Sequence, residues 1–206
     1  MPIRNAPLPI TDSNPTPTRD RLIAAMLNAL RRTGFHGVGL SELLSEAGAP
    51  KGVMYHHFPG GKSELAIAAI DLVVNQITAG LAKLMQRHVD PADALQAWMA
   101  SAQKLLAGSG YQQGCPLASM ASESTPDDMA IREALAKGFG HIRQQLGSAL
   151  ENAGVAPARS ANLAALMVSA YEGALIQARV AGQVDAMQNT TDALVELIRL
   201  SLPPQP

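Results

Sequence analysis

One cysteine, one tryptophan, three tyrosines and three phenylalanines in 206 residues leave this chain short of several kinds of chemistry. A lone Cys115 closes no intrachain disulfide, and no Cys-x-x-Cys pair is present to hold zinc, which fits a reducing compartment. Charge of either sign is scarce too: 16 Lys/Arg stand against 17 Asp/Glu, a net charge of −1, so general attraction to nucleic acid or to an anionic membrane is excluded. No uninterrupted apolar run reaches the roughly 18 residues that a membrane span requires. Long β-branched runs are missing, and the breaks are Gly, Pro and Asp-Pro rather than hairpin pairs, which argues against a sheet.

What is present is alanine, leucine and helical periodicity, in a chain 47% apolar and long enough to bury a real core. "MPIRNAPLPITDSNPTPT" carries five prolines and no apolar centre, so residues 1–17 are expected to form a disordered arm rather than a signal peptide or a helix. From there the spacing predicts an all-α protein of about nine helices. Three short helices make a head over residues 18–66. A larger helical body fills 67–202, and a Pro-rich tail occupies 203–206. The first 64 residues hold seven Lys/Arg against five Asp/Glu, so the head is slightly basic and the remainder acidic.

The head has the helix-turn-helix layout. "TRDRLIAAMLNALRRTG" places Leu22, Met26, Ala29 and Leu30 on one face and stops at Gly34. "LSELLSEAG" makes a two-turn helix, and "PKGVMYHHF" a third that is opened by Pro50 and closed by Pro59. A helix of about eight residues is roughly 12 Å long, which suits a major groove about 12 Å wide. Lys51, Gly52 and Val53 at its start are placed to meet base edges, Tyr55 and His56 to meet phosphates, and Met54 and Phe58 to face inward. Lys62 is expected to meet a phosphate together with the free N–H groups of the next helix. Ser41 completes the candidate DNA contacts, and His57 is divided between phosphate contact and packing. Adjacent helical residues point about 100° apart and no third ligand lies near, so His56 and His57 do not read as a metal pair.

"GLSELLSEAGAPKGVMYHHFPGGKSEL" resembles the DNA-binding head of the TetR family of repressors, over about residues 18–66. The shared pattern is the Ala-Gly turn, Lys-Gly, the Tyr/His/Phe cluster and the lysine that begins the next helix. The family often has Ser or Thr where Pro50 and Val53 stand, and Gly60-Gly61 adds one residue. "FPGGK", with "GCPLA" at 114–118, resembles the LmrA/YxaF-type branch. The resemblance implies a cytoplasmic transcriptional repressor without a cofactor. It would act as a homodimer on double-stranded palindromic operator DNA and be released by a small, lipophilic or drug-like effector.

In the body, Ala170, Ala174, Ala178 and Gly182 form a row of small residues, with Ala165, Ser169 and Gly173 beside it. Such rows let helix axes approach closely. With Leu194, Leu197 and Ile198 of the last helix they suggest a four-helix interface between two copies. The resemblance places the effector among helices that carry Trp98, Met99, Met120, Phe139, Met167 and Tyr171. Glu172 stands inside an apolar stretch, where a carboxylate needs a partner: a cationic ligand group or the second copy. Cys115 reads either as a small core residue or as a thiol sensor.

Enzyme readings find little support. The body lacks the Glu-x-x-His pairs of a di-metal bundle, H-E-x-x-H is absent, and Gly34, Gly37 and Gly39 of the head miss the G-x-G-x-x-G spacing. Two alternatives stay open: a helical DNA-binding protein without an effector, and a helical-bundle enzyme.

Overall fold

Leu22, Met26, Leu27 and Leu30 recur at helical spacing, and all four are buried along α1 (Thr18–Gly37) in the computed structural model, which describes residues 16–203. The expected arm up to residue 15, and residues 204–206 of the tail, lie outside the described residues. Among the described residues there are nine helices and no strand. After α1 come α2 (Leu40–Ala47), α3 (Lys51–His57) and α4 (Gly61–Arg87). The body adds α5 (Pro91–Gly108), α6 (Pro116–Glu123), α7 (Met129–Asn152), α8 (Pro157–Ala181) and α9 (Asp185–Arg199).

The helix boundaries follow local chemistry. Gly34 breaks α1 with φ +71°, and the chain resumes one further turn to Gly37. Asp90 caps α5, its carboxylate accepting from the Ala92 N–H at 2.8 Å, with Pro91 at the first helical position. α7 begins at Met129 rather than at Pro126, because Asp128 folds the preceding turn. Its Oδ2 accepts from both the backbone N–H and the hydroxyl of Thr125 at 2.9 Å, which lowers its pKa.

α4 is apolar over much of its length. Although no unbroken apolar run is present, this helix has a mean hydropathy of 1.7 over its most apolar 18 residues, enough by length and composition to cross a membrane. Its apolarity is used in packing. Leu65, Ala69, Ile70, Val73, Val74 and Leu81 are buried, and the helix lies against α1, α5 and α7. The close approach to α7 depends on Gly138, where a Cβ would come within 2.7 Å of Val74 Cγ2. Each fully buried leucine or isoleucine contributes about 1.5–3 kcal/mol relative to exposure. α8 and α9 pack on each other, α8 also on α7 and α9 on α5, so α1 and α4 are the struts that join head to body.

Candidate nucleic-acid interface and body cavity

The head is held by polar contacts around a small apolar centre. Gly48 ends α2 in the left-handed conformation, φ +58°, and the following Ala49 N–H donates to the Leu44 carbonyl at 3.0 Å. From α1, Arg21 Nε donates to the Ala47 carbonyl at 3.0 Å, while Asn28 and Arg32 both reach Glu46. These contacts fix the angle at which α3 leaves the turn.

α3 has an inner and an outer face. Met54 and Phe58 are 0% and 2% exposed, and the guanidinium of Arg19 lies 5.3 Å from the Phe58 ring centroid. Lys51, Gly52, Tyr55 and His56 are exposed, Val53 and His57 half-buried, and Ser41 is exposed at the start of α2. The Lys51 ammonium sits 6.0 Å from the Tyr55 ring centroid, so the cation and the phenol share one edge of the face. His56 and His57 meet edge to face at 5.4 Å. Among the described residues no cluster of three metal-ligating groups occurs. The extra glycine has a use: Gly61 turns through φ +70°, donates to the Phe58 carbonyl at 2.8 Å, and leaves room for the Tyr55 ring.

Lys62 has an aromatic neighbour within its own chain. Its ammonium lies 4.6 Å from the Phe35 ring centroid, half-buried, and burial lowers its pKa against the opposing pull of Glu123. At the start of α4 the N-cap Gly60 N–H donates to Glu64 Oε2 at 2.7 Å. In this conformation the lysine lies against Phe35 of α1, with Glu123 of α6 acting on it electrostatically. Glu123, which the sequence did not single out, ties α6 to the end of α1. It accepts from the His36 backbone N–H at 2.8 Å and occupies the space that a Cβ on Gly34 would need.

A cavity of about 350 Å³, open to solvent on one side, lies between α1, α4, α5 and α8. Trp98 and Tyr171 stand in its wall with ring centroids 4.5 Å apart. Arg31, Ile77, Leu105 and Cys115 complete much of the lining. Of the seven residues expected to hold a ligand, Trp98 and Tyr171 line this space. Met99, Met120 and Met167 are 0–2% exposed and fill the core instead, and Phe139 is half-buried outside the lining. Glu172 also lies outside the lining, beside the thiol of Cys115, and its Oε2 is buried without a hydrogen-bond partner. Burial raises its pKa to about 7, with the thiol working in the opposite direction. Burial likewise pushes up Cys115 and Tyr171.

The helix-turn-helix head and the helical body are each matched by known proteins. Residues 22–69 match the bacterial regulatory proteins of the tetR family, and residues 91–193 the transcriptional regulator LmrA/YxaF-like C-terminal domain. The chain belongs to the TetR family. It is 25% identical over 182 residues to the HTH-type transcriptional regulator LmrA of Bacillus subtilis, covering 88% of this chain and 97% of that protein. The B. subtilis regulator YxaF is 27% identical over 159 residues, covering 77% and 83% of the two chains. A TetR transcriptional regulator from Legionella pneumophila, 22% identical, shares the fold with a TM-score of 0.77 over 92% of this chain and all of the other. The protein is thus a DNA-binding transcriptional regulator of the TetR family.

On this TetR fold the residues expected at a subunit interface divide. Ala165 and Ser169 are exposed on α8 and Gly173 is half-buried there, beside exposed Leu166, Ile176 and Val180. Leu197 is half-buried. Ala174, Leu194 and Ile198 are 2%, 4% and 0% exposed, so they belong to the core of their own chain. The period of α9 explains this: its apolar stripe faces α5 and α8 of its own chain, where the sequence had suggested the second copy.

Proposed function

We propose that the protein is a homodimeric repressor that reads a two-fold symmetric operator in the cytoplasm and releases it on binding a small lipophilic effector. The observation that carries the DNA part is the outer face of α3, where Lys51, Gly52, Tyr55 and His56 stand exposed over a buried Met54 and Phe58. Lys51, Gly52 and Val53 meet base edges. Ser41, Tyr55, His56 and His57 meet the phosphate backbone and position the helix. A single α3 of seven residues makes few base contacts, so affinity requires two heads on half-sites about 34–36 Å apart.

The second copy docks on α8 and α9, where Leu166, Ile176 and Val180 are 45%, 54% and 85% exposed along a helix whose outer side otherwise offers small residues. The effector occupies the 350 Å³ cavity, for which a constitutive architectural binder has no use. Ligand and operator are coupled reciprocally: each weakens the other by the same factor.

The test is fluorescence anisotropy on duplex DNA from the gene's own upstream region, over a range of salt. Lys51→Ala and Tyr55→Ala each lower affinity about tenfold or more, and Lys51→Ala, which removes one cation per subunit from the groove, also flattens the salt dependence. Unchanged affinity and slope in a variant that remains folded would remove α3 from the interface.

A further inference from the structure

The body cavity contains one charged side chain, and it is contributed by the head. Arg31 lies on α1, yet it lines a space whose other walls are apolar or neutral, among them Trp98, Tyr171, Ile77, Leu105 and Gln113. Its position is held from the body side, since the Gly114 N–H donates to the Arg31 carbonyl at 3.1 Å.

The other arginines of this region are already engaged. Arg21 serves the end of α2, Arg32 pairs with Glu46 at 3.2 Å, and Arg179 donates to the Arg32 carbonyl at 3.3 Å. Among the described residues Arg31 has no carboxylate partner. The titratable groups that act on it are the Cys115 thiol and the Tyr171 phenol, and burial keeps both in their neutral forms. Glu172, next to Tyr171, makes its contact with Cys115 instead. A half-buried guanidinium without a counterion is an unfavourable arrangement unless something else supplies the charge. A larger groove of about 530 Å³ nearby does not share this property. Its two arginines, Arg32 and Arg179, are the engaged ones, and it opens beside Ile176 and Val180 on the face assigned to the second copy.

We propose that the effector is an amphiphilic carboxylate, its ring or hydrocarbon body lying against Trp98 and Tyr171 and its acid group paired with Arg31. The proposal rests on the reading of this cavity as the effector site and specifies its chemistry. The planar fork of an arginine matches a carboxylate with two parallel hydrogen bonds, which a neutral or cationic ligand of the same shape cannot form. An acid bound here bridges α1 to α5 and α8. The same contact that holds the ligand therefore acts on the helix against which the DNA-reading head is packed.

Trp98 is the sole tryptophan of the chain and reports on the cavity directly. Its fluorescence is titrated in the full-length protein with three probes of one shape: 4-phenylbutyrate, 4-phenylbutyramide and 4-phenylbutylamine. The acid is expected to bind about tenfold or more tightly than either of the others, and to be the probe that releases upstream DNA at the lowest concentration. In Arg31→Gln the acid loses that advantage while the amide binds as before, and Arg31→Lys retains part of it. Equal binding of acid and amide, or a preference for the amine, overturns the carboxylate assignment and leaves the cavity as an effector site. If none of the three perturbs Trp98 at millimolar concentration, the cavity reading fails and the carboxylate falls with it.

Discussion

In the head, the groups that meet a partner lie on the outside of a packed unit, and the aromatic beneath them is structural. In the body the order is reversed: aromatics line an internal space, and the outer face of α8 is apolar. Phe58 is 2% exposed under the face formed by Lys51, Tyr55 and His56, whereas Trp98 is half-buried in the wall of a cavity. The difference fits the roles proposed for the two halves. A reader of a rigid duplex needs side chains projected at fixed angles, so its interior is filled. A receptor for a small molecule needs unfilled volume, so part of its interior packing is forgone.

The largest expected effect sharpens this contrast. Phe58→Ala removes a buried ring from the centre of the head and costs about 3–5 kcal/mol, because the space cannot refill. Trp98→Ala enlarges a cavity that already exists and costs at least about 2 kcal/mol less. Urea denaturation of both variants measures the difference. Loss of upstream-DNA retention accompanies only the first change, unless the comparison of the two regions is mistaken. Equal destabilisation would mean that the body cavity is closed in solution.

Next in size is a pH effect confined to the body. Glu172 has its pKa raised to about 7 in the folded chain, against an ordinary 4.5 when unfolded. Between these values the unfolded state releases a proton that the folded state keeps. The contribution to stability is therefore full below pH 4.5, declines as pH rises to 7, and is flat above. A separation of this size corresponds to about 3 kcal/mol. Glu172→Gln abolishes that slope, so the variant gains relative to the parent at pH 8 and not at pH 4. Cys115 and Tyr171, both pushed upward, do not titrate in this window. A parent whose melting temperature shows no such decline would place Glu172 in water rather than in the core.

The two regions also differ in how much of them could be read from the sequence. Every contact-bearing residue of the α3 face lies within "KGVMYHHF", and one helical period sorts it into Met54 and Phe58 inside and Lys51 and Tyr55 outside. The cavity draws on α1, α4, α5 and α8, more than a hundred residues apart, so no local spacing announces it. Trp98 and Tyr171 were legible as mid-helix aromatics. Arg31 was legible only as a basic residue in a last turn, and its direction depends on the break at Gly34 and on the Gly114 contact. The neighbours of Lys62 were hidden for a related reason: Phe35 and Glu123 are brought towards it by tertiary packing. For α9, amphipathicity identified a buried stripe without revealing that α5 and α8 cover it.

The smallest expected effect tests how much surface charge contributes within the head, beside its junction with the body. Arg32 and Glu46 form a 3.2 Å ion pair between α1 and α2, with side chains 41% and 32% exposed. An exposed pair of this kind is screened by salt, and its two side chains lose freedom on pairing, so a double-mutant cycle with Arg32→Ala and Glu46→Ala gives a coupling of about 0.5 kcal/mol or less. Arg32 also offers its carbonyl to Arg179 at 3.3 Å, a backbone contact that the alanine variant keeps. The neighbouring Arg31 variant should therefore alter ligand preference while Arg32→Ala leaves it untouched, although the two arginines are adjacent in the chain. A ligand effect at Arg32 as large as that at Arg31 would mean that the charge of the junction acts as a whole, and that the boundary between head and body is electrostatically continuous.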